Sequence, residues 1–196
     1  LKELDPINRI SMRAVVAGRL FDEFGIVVVG SLGFENTYAL VTKRETVARY
    51  GLSQIGDITP AARDLRIGGD PEFFGRPEWQ RVRQLYSLGD ITEVGMDSTF
   101  MYQAVADGQV DVAAGFSTDG RIDAFDLAVL KDPKQAFPPY DAVILLSPEA
   151  SKNKNLVHAI EPLVNRISVT AMRTANRLVD EGGETPKEAA GQLLPD

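Results

Sequence analysis

The sequence predicts an α/β chain in which strands alternate with helices around a parallel sheet. Two patterns carry this. Short apolar runs at 26–29, 38–41, 65–68, 91–94, 110–114 and 127–130 have the length of strands and are separated by segments with helical spacing. Gly and Pro punctuate the joins, at Gly25, Gly51, Thr59-Pro60 and Pro77, where helices stop and start.

Ile10, Ala14, Val15, Ala17, Leu20 and Phe21 give an amphipathic helix that ends before Gly25. The apolar run 26–29 reads as a buried strand; 38–41 is a second. Thr42 is placed to cap a short helix through Tyr50, with Gly51 as its stop. Thr59-Pro60 starts a helix to about residue 64, and 65–68 is a strand leading into the turn Phe73-Phe74-Gly75-Arg76-Pro77. Pro77 opens a helix whose inner face is Trp79, Val82 and Leu85. Strand 91–94, helix 98–106, strand 110–114, a helix opened by Asp119 and strand 127–130 follow. The stretch 132–139 is proline-rich and irregular, 140–146 is a strongly apolar strand, and helices are expected at 155–166, 168–181 and 186–194.

Composition excludes several functions. The chain has 196 residues, 44% hydrophobic and 25% charged, which are globular values. Net charge is −7 and Lys and Arg are scattered without a basic stripe, so nucleic acid is not an expected partner. No apolar run reaches the roughly 18 residues of a membrane helix. Cysteine is absent, which removes disulfides, zinc-thiolate sites and cysteine nucleophiles. The one histidine, His158, falls on the polar side of its helix and reads as solvated, so neither a triad nor a multi-histidine metal site is expected. Ser117 has no base to activate it, and Thr118 or Asp119 serves better as a helix cap. Asp97, Asp111 and Asp119 match no calcium loop. No cofactor site is expected, and with no believable base, nucleophile or metal set the chain is not expected to be an enzyme.

Four turns stand out. Tyr38, Phe116 and Tyr140 sit where a strand meets a turn, and Arg76 occupies a fourth turn. Aromatic faces attract cations, and a guanidinium grips a carboxylate through parallel hydrogen bonds. Ligands of parallel sheets bind at the carboxyl ends of strands, where Phe116 and the Arg76 turn both fall. The set thus suits a small molecule with a cation at one end and a carboxylate at the other. The plainer alternatives are strand-packing tyrosines, a core phenylalanine, and an Arg76 salt bridge to Glu72 or Glu78.

The stretches Gly33-Phe34-Glu35-Asn36-Thr37-Tyr38-Ala39-Leu40, Glu72-Phe73-Phe74-Gly75-Arg76-Pro77, Gly95-Met96-Asp97, Met101-Tyr102-Gln103-Ala104, Gly108-Gln109-Val110-Asp111-Val112, Ser117-Thr118-Asp119-Gly120-Arg121-Ile122 and Phe137-Pro138-Pro139-Tyr140 occur in order along the chain. In them the sequence resembles the substrate-binding proteins of osmoprotectant ABC importers. That family captures glycine betaine, choline, carnitine and related compounds and delivers them to a permease. The resemblance implies a periplasmic-binding-protein-like (type II) lobe, periplasmic or otherwise extracytoplasmic. It implies that Tyr38 and Tyr140 match aromatic-box positions and that Arg76 matches the carboxylate arginine. Phe116 stands where many members carry tyrosine. The Asn36 carbonyl matches a contact to the methylated nitrogen, and Thr37 lies beside it among the expected ligand-binding residues.

The resemblance also implies a division into 1–32, a remnant of the first lobe; 33–142, the second, ligand-binding lobe; and 143–196, C-terminal helices of the first lobe. The chain begins at Leu1 and lacks the family's early lysine and its Tyr-Thr-Gly-Thr-like turn, so it reads as a piece of something longer with an incomplete first lobe. An isolated lobe with little binding, an effector-binding sensor domain and a homodimer formed by strand exchange are the alternatives this leaves open.

Overall fold

The computed structural model describes residues 9–193. By their contacts these residues separate into two units, 9–34 with 141–168 and 35–140 with 169–193. The sequence boundaries were 32/33 and 142/143, and the block 143–196 is shared between the units. Its last part goes with the second unit because it packs on the turn after residue 116.

In the first unit, helix α1 (Arg9–Phe24) leads into strand β1 (Val27–Glu35), which pairs with β7 (Asp141–Leu146) in a two-stranded sheet. The expected four-residue buried strand is therefore nine residues long and half-buried rather than enclosed. On α1, Ala17 and Leu20 are half-buried but Val15 and Phe21, expected to face inward, are each 60% exposed. Among the described residues, the buried apolar side chains of this unit are Leu146 and Ile167. Helix α7 (Lys154–Ile160) is capped by the Asn153 side chain, and its run ends earlier than expected in a 3-10 turn at Glu161–Leu163 that contains Pro162. His158 is exposed, as its helical position predicts.

The second unit is a five-stranded sheet in the order β4 (Thr92–Gly95), β3 (Arg66–Gly69), β5 (Val112–Phe116), β2 (Tyr38–Lys43) and β6 (Leu127–Val129). β3 is parallel to β4 and β5, but β2 is antiparallel to both β5 and β6. The sheet is mixed, which corrects the all-parallel expectation. The reversed strand decides where the aromatic residues go. Because β2 runs against β5, its first residue, Tyr38, pairs with the last residue of β5, Phe116.

Side chains alternate across the strands. Leu40, Ile67, Val112 and Ala114 face one core cluster with Phe73, Trp79, Val82 and Phe137; Val41, Ala113 and Leu127 face another with Met101, Tyr102 and Ile122. Helix α2 (Arg44–Tyr50) ends at Gly51 in the left-handed region, φ 67°, as the Gly51 stop predicts. Thr42 does not cap it. That residue is buried in β2 and its hydroxyl donates to the Asp111 carbonyl at 2.7 Å. The Thr59-Pro60 start is also displaced, because a 3-10 helix already begins at Ile55, closed by reciprocal Gln54 and Asp57 bonds.

The Arg76 turn contains a short helix, α3 (Pro71–Gly75), capped by Asp70, which accepts from the Phe73 N–H at 2.9 Å. Helix α4 (Pro77–Tyr86) then starts at Pro77 as expected. Its buried face is Trp79, Val82 and Tyr86 rather than Leu85, which is partly exposed. Helix α5 (Met101–Ala106) and the four-residue α6 (Arg121–Ala124) flank β5. Helices α8 (Val169–Asp180) and α9 (Pro186–Leu193) complete the unit.

Candidate ligand-binding site

Strand direction brings the rim together. The carboxyl ends of β3 and β5 and the start of β2 share one edge, so the loops after Gly69 and Phe116 meet the loop before Tyr38. Asn36, Tyr38, Arg76, Phe116 and Tyr140 line one recess of 310 Å³. Five of the six expected residues therefore converge. Thr37 does not line the recess: its hydroxyl donates to the Pro138 carbonyl at 2.8 Å, its N–H to Ser117 Oγ at 3.2 Å, and its carbonyl accepts from the Ser117 N–H at 2.9 Å. It fastens the segment that presents its neighbours.

The aromatic walls are unequally held. The Tyr38 and Phe116 rings stack at 4.9 Å with 25° between planes. Behind Tyr38, Phe73 lies at 5.1 Å and Phe137 at 6.0 Å, and Phe73 in turn meets Trp79 at 5.3 Å. Phe116 and Tyr140 remain 41% and 48% exposed, so both are surfaces available to a ligand rather than core residues. The Tyr140 carbonyl accepts from the Asn36 N–H at 3.0 Å. Burial pushes the Tyr38 hydroxyl pKa up, against the pull of the neighbouring Arg76 charge.

Arg76 joins this recess to a larger one of 760 Å³, which Tyr38 and Phe116 also line and to which Asp70, Glu72 and Asp97 contribute. The Arg76 guanidinium donates to Glu72, one turn earlier, so the expected surface ion pair exists. Tyr38 first, and then Glu72, hold its pKa above the ordinary arginine value.

The turn carrying Phe116 is fixed from several sides. The Tyr102 hydroxyl accepts from the Phe116 N–H at 2.9 Å. Ser117 Oγ donates to the Glu35 carbonyl at 2.8 Å, and Thr118 Oγ1 donates to Asn36 Oδ1 at 2.7 Å. From α8, Arg173 Nε and Nη2 donate to the Ser117 carbonyl at 3.0 and 2.8 Å, and Asn176 donates to the Thr118 carbonyl at 2.7 Å. Gly120 admits α8 this closely, because a Cβ there would lie 2.5 Å from the Arg177 nitrogen. Ser117 is thus a structural bridge. None of these partners is legible in the sequence, since 14 to 82 residues separate each from its bonding partner in the turn and spacing carries no signal over that range.

Asp119 receives a bidentate Arg121 grip, at 3.0 and 2.8 Å, plus the Arg121 N–H at 3.0 Å. Burial works against its charge, but these bonds outweigh it and hold the carboxyl below its ordinary 3.8. A depressed carboxylate stabilises the fold above its unfolded pKa, and that contribution is lost as pH falls through the folded value. We expect Asp119→Asn to be about 1–2 kcal/mol less stable at neutral pH in denaturant titrations. Its deficit relative to the parent should shrink as pH drops below the ordinary carboxylate range; a constant deficit would remove Asp119 from the acid response. Among the described residues no group of three His, Cys, Asp or Glu side chains could hold a metal ion, and no helix is long and apolar enough to cross a membrane.

The family described as the substrate binding domain of the ABC-type glycine betaine transport system matches residues 11–195. The chain belongs to this family. A carnitine transport binding protein of Listeria monocytogenes is 32% identical over 167 residues, which cover 84% of this chain and 54% of the relative. A glycine-betaine-binding protein of Pseudomonas aeruginosa is 31% identical over 186 residues, covering 87% and 59%. The chain therefore spans little more than half the length of these curated relatives. A crystal structure titled as a glycine betaine/carnitine/choline ABC transporter superposes with a TM-score of 0.89 at 33% identity, covering 99% of this chain and 72% of that one. The fold is accordingly α/β of the type II periplasmic-binding-protein kind, as the resemblance implied. In this member of the family the candidate recess lies wholly within residues 35–140.

Proposed function

We propose that the chain binds a quaternary-ammonium osmolyte, glycine betaine, choline or carnitine, for delivery to the permease of an ABC importer outside the cytoplasmic membrane. The observation that carries this is the convergence of Tyr38, Phe116 and Tyr140 with Arg76 on one recess. The aromatic faces take the methylated cation, with Asn36 beside it, and Arg76 takes the carboxylate. Cation–π contacts contribute roughly 2 kcal/mol each when desolvated, so three walls and a charge-assisted grip support micromolar binding, about −8 kcal/mol. A bare ammonium binds more weakly, because it costs more to remove from water. The 33–142 segment is the ligand-binding lobe in this reading.

Calorimetric titration of the full-length protein with glycine betaine, choline, carnitine and proline tests the proposal; absence of heat with all four would overturn it. The two ends of the ligand are separable. Arg76→Met should weaken glycine betaine and carnitine about tenfold or more, the value of a hydrogen bond to a charged group, while choline changes by less than about twofold. Equal losses for all three ligands would show that Arg76 acts on the fold and not on the carboxylate.

A further inference from the structure

Arg76 stands at the boundary of the two recesses, and its two sides differ. Among the described residues no acidic side chain lines the 310 Å³ aromatic recess, whereas Asp70, Glu72 and Asp97 line the 760 Å³ one. Arg76 Nη2 is committed to Glu72 Oε1. Arg76 Nε is shielded from solvent and has no hydrogen-bond partner among the described residues, and the same holds for Glu78 Oε2. The donor face that a ligand carboxylate needs is therefore already shared with a carboxylate of the chain.

We propose that Glu72 is an internal competitor for Arg76 and so sets how far the site favours zwitterions over carboxylate-free cations. This rests on the cage reading above. A guanidinium offers five N–H donors in one plane, and a bidentate grip uses two neighbouring ones. A ligand carboxylate arriving from the aromatic side has two options. It displaces Glu72, whose side chain is 74% exposed and free to turn into water, or it binds beside Glu72 with two like charges a few ångströms apart. Both options penalise glycine betaine and carnitine. Neither penalises choline, which has no carboxylate and gains from the negative field of Glu72. Selectivity here comes from an element that opposes one ligand class rather than from a new contact to the other. An orienting role, in which Glu72 merely steadies Arg76, predicts the opposite sign on its removal.

The test compares the full-length protein with its Glu72→Gln variant by calorimetry, using glycine betaine, carnitine and choline. The two zwitterions should bind about fivefold more tightly to Glu72→Gln, and choline should stay equal or weaken by up to about twofold. In an Arg76→Met background, where there is no guanidinium to compete for, the same substitution should shift the betaine-to-choline affinity ratio by less than it does in the parent; an equal shift would overturn the competitor role. A ratio that stays constant or falls in Glu72→Gln overturns the competitor role. Thermal unfolding monitors the fold, and Glu72→Ala replaces the glutamine variant if that one does not fold. Parent protein that binds none of the three ligands overturns the cage reading, and this proposal with it. Parent protein that binds while the ratio does not move overturns the role of Glu72 alone.

Discussion

Tyr38→Ala should weaken binding of a quaternary-ammonium ligand by about thirtyfold or more, the equivalent of one desolvated cation–π contact of roughly 2 kcal/mol. The loss is larger than for either other wall because Tyr38 is the one ring that the rest hold in place. Phe116 stacks on it at 4.9 Å, while Phe73 and Phe137 back it. Without the Tyr38 ring, Phe116 loses its stacking partner and the face it presents to a ligand is no longer fixed. Tyr38→Phe keeps the ring and the stack and should retain affinity within about threefold, since an aromatic face and not the hydroxyl attracts the cation. Calorimetry on both variants, with thermal unfolding as the control for folding, separates the roles. Parent-like affinity in Tyr38→Ala would remove Tyr38 from the cage.

Trp79→Ala should cost about 3–5 kcal/mol of stability, the range for deleting a fully buried aromatic side chain. Trp79 has no exposed surface, packs on Phe73 at 5.3 Å and Phe74 at 5.8 Å, and donates its indole N–H to Glu93 Oε1 at 2.7 Å. Its removal leaves a void next to Phe73 and withdraws a donor from Glu93, which keeps the Arg83 contact at 3.2 Å. Because Phe73 supports Tyr38, ligand affinity should fall together with stability. Trp79→Phe fills most of the volume but lacks the N–H, and should lose less. Trp79 is the single tryptophan, so unfolding must be followed by circular dichroism. A denaturant midpoint for Trp79→Ala equal to the parent's would contradict the packing argument.

What was legible in the sequence follows the range of the forces involved. Pro77 and Gly51 mark real helix ends, because proline at a first turn and glycine in the left-handed region are local backbone preferences. The α3 helix carried an equally local signal in Asp70-Pro71, but the apolar pair Phe73-Phe74 and the following Gly75 made the segment look like a bare turn. Leu85 and Tyr86 are adjacent on one helix and only the packing partner decides between them. Thr42 looked like a cap because its type suits one, yet Asp111, distant in sequence, claims its hydroxyl. The direction of β2 was out of reach altogether, since strand pairing is set by contacts across the whole unit.

The candidate site divides in the same way. Tyr38, Phe116, Tyr140 and Arg76 could be picked out by residue type and by resemblance, and Asn36 by resemblance alone. Thr37, expected among the ligand-binding residues, is turned inward to the scaffold by its hydrogen bonds. Glu72 was named only as a salt-bridge partner, because nothing in a sequence shows that Arg76 faces an aromatic recess on one side and carboxylates on the other. The bridge from Arg173 to the Ser117 carbonyl leaves no trace in the sequence, because no pattern links a turn to a helix so far along the chain.

The Asn36 N–H to Tyr140 carbonyl bond joins the two ends of the 35–140 stretch. The segment therefore closes on itself like a loop with a clasp, and its beginning and end leave from one point. Such a stretch can be spliced into a host protein at a surface turn without pulling the host apart, which is the condition for a genetically encoded sensor module. The graft would carry all five recess-lining residues but not Arg173 or Asn176. A working sensor thus needs α8 supplied as a second piece, or new donors engineered for the Ser117 and Thr118 carbonyls.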